Sequence, residues 1–152
     1  MKGTFLLSLL LTTMVILAGG CTQQMTEKVP QQINVTNAEL DTEFQLKWNE
    51  TAFIKSDDLK IRFVDVLGDS RCPPKVTCVW EGQVSVLVNV IRNNQDLGNF
   101  NLKLRAGHDD VAVEAVDGHF IKILNAEPYL TNASKTIKPS EYTITLVVTK
   151  FH

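Results

Sequence analysis

The sequence predicts an all-β chain folded as an antiparallel sandwich of about eight strands. Apolar and polar residues alternate with period two from near residue 42 almost to the end of the chain, the pattern of strands buried on one face. Turn-forming residues recur between these short runs, and no stretch after residue 42 shows a helical period of useful length. Strands without interposed helices favour two packed antiparallel sheets over an α/β fold, and an immunoglobulin-like strand order is one topology that fits. A length of 152 residues allows one domain with a sizeable core.

The strands follow in order. Phe44, Leu46 and Trp48 alternate with Gln45 and Lys47, and a short apolar segment covers 52–54. Leu59, Ile61 and Phe63 then alternate with Lys60 and Arg62. Val84, Val86, Val88 and Val90 share one face, and so do Phe100, Leu102 and Leu104. Segments 111–116 and 120–126 form a hairpin, and Tyr142, Ile144, Leu146 and Val148 line one face of the last strand. Two registers compete in the hairpin. A two-residue Asp117-Gly118 turn sets Glu114 opposite Ile121 and mixes polar with apolar groups on both faces. A three-residue turn, Asp117-Gly118-His119, sets Val113 opposite Ile123, Ala115 opposite Ile121 and Glu114 opposite Lys122. The second gives one apolar face and a cross-strand ion pair, so it is the expected register.

The front of the chain is different. Lys2 precedes the mostly apolar run from Phe5 to Leu17, which leads to Ala18-Gly19-Gly20-Cys21, the order of a secretion signal. The run is short for a membrane span and is interrupted by Ser8, Thr12 and Thr13. "LAGGC" resembles the lipobox of prokaryotic lipoproteins, with Ala18 where leucine is usual and Leu17 one place further back. The resemblance implies a signal peptide over 1–20 and Cys21 as a lipid-carrying mature N-terminus. Two acyl chains would then anchor the protein to membrane lipid on the extracytoplasmic side of the cell envelope. Residues 21–41 are poor in large apolar groups and rich in Gln, Thr and Asn, so they read as a flexible tether ahead of a domain spanning 42–152. Removing 1–20 subtracts Lys2 from 15 basic residues, which leaves 14 against 17 acidic ones and a formal net charge of −3. Nucleic acid is therefore not an expected partner.

Of three cysteines, the lipobox takes one, and Cys72 and Cys78 remain as a pair. Export places them where disulfides persist, and five intervening residues let the chain turn back, so a disulfide is expected. A zinc site would need four ligands, and a redox pair would prefer two residues between the cysteines.

For chemistry, His108, Asp109 and Asp110 are the best metal candidates, although acidic residues after Gly107 read equally well as solvated turn formers. Strand 111–116 would hold His108 and His119 at opposite ends, about 20 Å apart and beyond shared coordination. No Gly-x-Ser-x-Gly elbow is present, so catalysis is not expected, and no cofactor is implied.

The remaining candidate is "DSRCPPKVTCVWEG", residues 69–82. Together with the following "QVSVLVNV" it resembles a family of small exported prokaryotic lipoproteins that share Asp-Ser-Arg-Cys-Pro, a second cysteine, then Trp and Gly ahead of a strand. The shared residues are Asp69, Ser70, Arg71, Cys72, Pro73, Cys78, Trp80 and Gly82, and the resemblance implies a strand-rich exported domain without assigning an activity. Each has a structural role open to it. Asp69 or Ser70 can cap a turn, the prolines stiffen the loop, Trp80 can lie on the disulfide, and Arg71 can pair with Asp69 or Glu81 or stack on Trp80. The stretch is therefore expected to act as a structural staple; as a binding loop, the rival reading, it would use Asp69, Arg71, Trp80 and Glu81. The expected protein is thus a membrane-anchored extracytoplasmic lipoprotein with a binding or structural role. Rival readings are an inhibitor or adhesion module presenting loop 69–82 to an extracytoplasmic protein, a metal- or small-ligand-binding accessory protein, and a hydrolase with an unrecognised carboxylate pair.

Overall fold

The computed structural model describes residues 34–131 and 136–151, which belong to one compact unit, Gln32–His152. Nine strands form among them: β1 (Val35–Ala38), β2 (Phe44–Lys47), β3 (Thr51–Ile54), β4 (Leu59–Asp69), β5 (Val84–Arg92), β6 (Gln95–Leu104), β7 (Val113–Val116), β8 (His119–Glu127) and β9 (Thr143–Lys150). They make two sheets, ordered β1-β3-β4-β5-β6 and β2-β9-β8-β7, with every pair antiparallel except the parallel β1–β3. The protein is an all-β sandwich. Its larger sheet contains the uninterrupted meander β3 to β6, whereas an immunoglobulin sheet draws strands from both halves of the chain. Among the described residues no helix is long and apolar enough to cross a membrane.

The eight strands read from alternation are all present. The four valines of β5 are fully buried, as are Ile61 and Phe63 of β4, Ile121 and Ile123 of β8, and Ile144, Leu146 and Val148 of β9. At roughly 1.5–3 kcal/mol for each large side chain removed from water, these inner faces fix the registers, because a one-residue slip would turn each face outward. The β5–β6 connection is a two-residue turn in which Asn93 and Asn94 have φ of 50° and 60°, the left-handed pair that hairpins favour.

Three expectations change. First, the β7–β8 hairpin takes the two-residue turn: Val116 faces His119, Glu114 faces Ile121 and Val113 faces Lys122. Asp117 and Gly118 have φ of 43° and 80°, the primed geometry that matches strand twist, and His119 is the first inward residue of β8. Lys122 then pairs with Asp109 instead of Glu114. Second, segment 111–116 is only partly strand, because Asp109–Ala112 forms a 3-10 turn before β7. Third, the segment read as tether contributes β1, attached to the sheet through its backbone while its side chains remain largely exposed. Cys21, the signal segment 1–20 and the tether before residue 34 lie outside the described residues.

Candidate functional site: the disulfide loop and its base

The loop grows from the last pair of the β4–β5 ladder, Asp69 with Val84. Ser70 N–H donates to Gln83 carbonyl at 2.8 Å, and Cys72 N–H donates to Glu81 carbonyl at 3.0 Å, so the two arms climb side by side. Gly82 sits with φ at 68° so close to the opposite arm that a Cβ would lie 1.8 Å from the Ser70 carbonyl oxygen. Only glycine lets the arms approach this closely. At the tip, Val76 N–H closes a turn on Pro73 carbonyl, with Pro74 second and Lys75 third at a φ of 69°. The Cys72–Cys78 disulfide closes the ring beneath that turn, its Cα atoms 6.0 Å apart.

The base is an enclosed ion pair. Asp69 and Arg71 side chains are each 6% exposed and meet twice, Nε to Oδ1 at 2.9 Å and Nη2 to Oδ2 at 2.6 Å. Asp69 also accepts the Arg71 backbone N–H at 3.1 Å and the Tyr142 hydroxyl at 2.8 Å. Arg71 crosses from β4 to the end of β8 in the other sheet, where Nη1 donates to the Ala126 carbonyl and Nη2 to the Pro128 carbonyl at 2.9 Å. The Glu127–Pro128 peptide is cis, and the Tyr129 ring lies 4.5 Å from the guanidinium carbon. Burial acts to raise the Asp69 carboxyl, but the bonds from Arg71 and Tyr142 outweigh it and hold the group below the ordinary carboxylate range. Tyr142 is pushed up to about 12 by burial and by the Asp69 charge.

This base changes the assignment of two binding-loop residues. Asp69 and Arg71 are enclosed and join the two sheets, so they hold the loop in place and are not presented to a partner. Trp80 projects with 52% of its surface exposed, and the Arg105 guanidinium covers one ring face at 5.6 Å. Glu81 is turned sideways, accepting Arg105 Nε at 2.6 Å with His108 Nε2 3.3 Å away. The exposed remainder is an apolar tip of Val76, Val79 and Trp80, with Val79 projecting at 105% exposure. A cleft of about 210 Å³ between Arg71, Glu81, Leu104 and Tyr129 is below the roughly 300–1,000 Å³ usual for small-molecule pockets.

The metal candidates are not brought together. His108 faces Glu81, Asp109 faces Lys122, and no cluster of three or more His, Cys, Asp or Glu side chains suited to a metal occurs among the described residues. His119 is fully buried at the opposite end of the sandwich. Its Nε2 is 3.2 Å from Asp57 Oδ1 and its Nδ1 is 3.0 Å from Asp117 carbonyl. Lys150 and Ser56 also donate to Asp57, and with His119 they hold its carboxyl well below the ordinary range against the effect of burial. The cluster had one legible signal, since His119 stands two residues before Ile121 on the inward face of β8. Comparison with protein-family models, curated proteins and solved structures finds no match to this chain.

Proposed function

We propose that the protein is a lipid-anchored extracytoplasmic binding module whose contact surface is the tip of the disulfide loop, Val76, Val79 and Trp80. One observation carries the reading: the loop is fixed at its base by an enclosed ion pair and closed by a disulfide, yet it projects apolar side chains into solvent. A rigid scaffold lowers the entropy lost on binding, and an exposed tryptophan is among the side chains that dominate contact energetics. The anchor rests on the lipobox resemblance around Cys21.

Two measurements test the reading. A photo-reactive residue at position 79 should cross-link in native envelopes, whereas the same residue at position 94, on the β5–β6 turn at the other end, should not. Equal yields at both positions would remove the tip from consideration. For the anchor, labelled fatty acid should enter the wild-type chain and fail to enter Cys21→Ser; undiminished labelling of the variant would refute it.

A further inference from the structure

We infer that the surface met by the loop tip is the lipid bilayer itself, so that the domain rests on the membrane through Val76, Val79 and Trp80. The inference deepens the contact-surface reading above and rests on it. The loop extends beyond the β4–β5 ladder on two paired arms and exposes these three side chains, which suits insertion between lipid headgroups. Its chemistry is that of an interfacial element: two exposed valines, a tryptophan whose ring is half exposed, and the cation Lys75 between the prolines and Val76. Tryptophan is favoured at the boundary between hydrocarbon and water, and long cationic side chains keep their charges at headgroup level while their stems lie in apolar surroundings. Glu81, the acid beside Trp80, is already engaged by Arg105 and leaves little repulsion toward anionic lipid.

Chain direction supplies a second, independent observation. Val35 pairs with Thr51, which is level with Arg62 of β4, and Ala38 pairs with Ile54, level with Leu59. β1 therefore runs away from the end of β4 that carries the loop, with Val35 at its loop-side end. From the level of Arg62 to the loop base at Asp69 is seven residues of strand, and the paired arms climb three more to Cys72, about 33 Å in all at roughly 3.3 Å per residue. From Cys21 to Val35 is fourteen residues, with a maximum reach of about 46 Å. A lipid on Cys21 and the tip can therefore meet one bilayer together. A second exposed apolar pair, Phe120 and Phe151 with ring centroids 4.1 Å apart, lies at the opposite end and serves as the internal control.

The test uses the chain from Thr22 onward, with a hexahistidine segment ahead of it, held on phosphatidylcholine–phosphatidylglycerol vesicles containing nickel-chelating lipid. This tether replaces the acyl chains, so the outcome is independent of Cys21 processing, and failure of fatty-acid labelling would leave it standing. In a Trp48→Phe background, brominated acyl chains should quench Trp80 emission, as expected for a ring seated at the headgroup–acyl boundary. A fluorophore attached at the other end through Phe151→Cys, in the same chain with Trp80 retained and Cys72 and Cys78 paired, should be unaffected by the brominated acyl chains. Val79→Asp should abolish the Trp80 quenching without moving the melting temperature, because the native side chain is wholly exposed. Trp80 emission insensitive to brominated lipid, or both reporters quenched equally, would overturn the proposal. Tip cross-links made only to protein in native envelopes, with Trp80 unquenched on vesicles, would assign the tip to a protein partner.

Discussion

Replacing Arg71 by alanine tests whether the loop base holds the two sheets together. The guanidinium uses four of its five N–H donors, two on Asp69 and one each on the Ala126 and Pro128 carbonyls. Its removal leaves a 6%-exposed carboxylate without its counter-ion and takes one donor from each of two carbonyls. Breaking an enclosed pair from one side costs about 3–5 kcal/mol. Asp69 retains the backbone N–H of residue 71 and the Tyr142 hydroxyl, so the lower end, about 3 kcal/mol, is the expected loss. Against a total stability of roughly 5–15 kcal/mol, this is a large fraction. Urea unfolding at pH 7 should show a lower midpoint with an unchanged slope. Asp69→Asn should also destabilise, and the double variant Arg71→Ala with Asp69→Asn should lose less than the two single losses added, by at least about 1 kcal/mol. A loss below about 1 kcal/mol in Arg71→Ala, or additive single losses, would show the pair to be energetically equivalent to a solvent-exposed one and would refute the reasoning.

Other outcomes follow from the same geometry. Cys72→Ser with Cys78→Ser should lower stability by about 2 kcal/mol, the chain-entropy value for a seven-residue ring, as read by urea unfolding. Gly82→Ala should cost more than Gly118→Ala in a thermal melt, because both have positive φ but only at Gly82 does a Cβ strike backbone; equal losses would refute the close approach. On the acid side, Asp57 and Asp69 both titrate below their unfolded values, so the stability they contribute is complete above about pH 4 and declines as pH falls through their folded values. Asp69→Asn should therefore flatten the acid limb of stability against pH, and an unchanged limb would remove Asp69 from that account.

Strand positions were legible because burial on one face leaves a mark at every second residue, most plainly in Val84, Val86, Val88 and Val90. β1 carries no such mark. Its side chains are mainly exposed, and its place is held by backbone pairing with β3. The β7–β8 register failed for a different reason: Val113, Ala115, Ile121 and Ile123 suggested one apolar face, while the deciding residue was His119, whose partner Asp57 is 62 positions away. Arg71 was legible as a partner of Asp69 because they are neighbours in sequence. Its reach to Ala126, 55 residues on, had no local signal, and that reach makes it a tie between the two sheets.

Polar groups therefore join the sheets near both ends of the sandwich: Asp69–Arg71–Tyr142 beneath the loop, and Asp57–His119–Lys150 at the far end. An apolar core alone resists sliding of one sheet over the other only weakly, because dispersion and burial have little directional preference. Hydrogen bonds from Arg71 to two carbonyls near the end of β8 do have direction, and they fix where the loop stands relative to the second sheet. The tip makes no comparable demand, since Val79 contributes almost nothing to burial. Stability and contact are thus assigned to different residues of one fourteen-residue stretch, so Val79→Asp and Arg71→Ala should separate them: the first removing contact at constant stability, the second lowering stability while the tip side chains remain in the sequence. A melting temperature that falls equally in both variants would show that the loop is one structural unit without a separable contact surface.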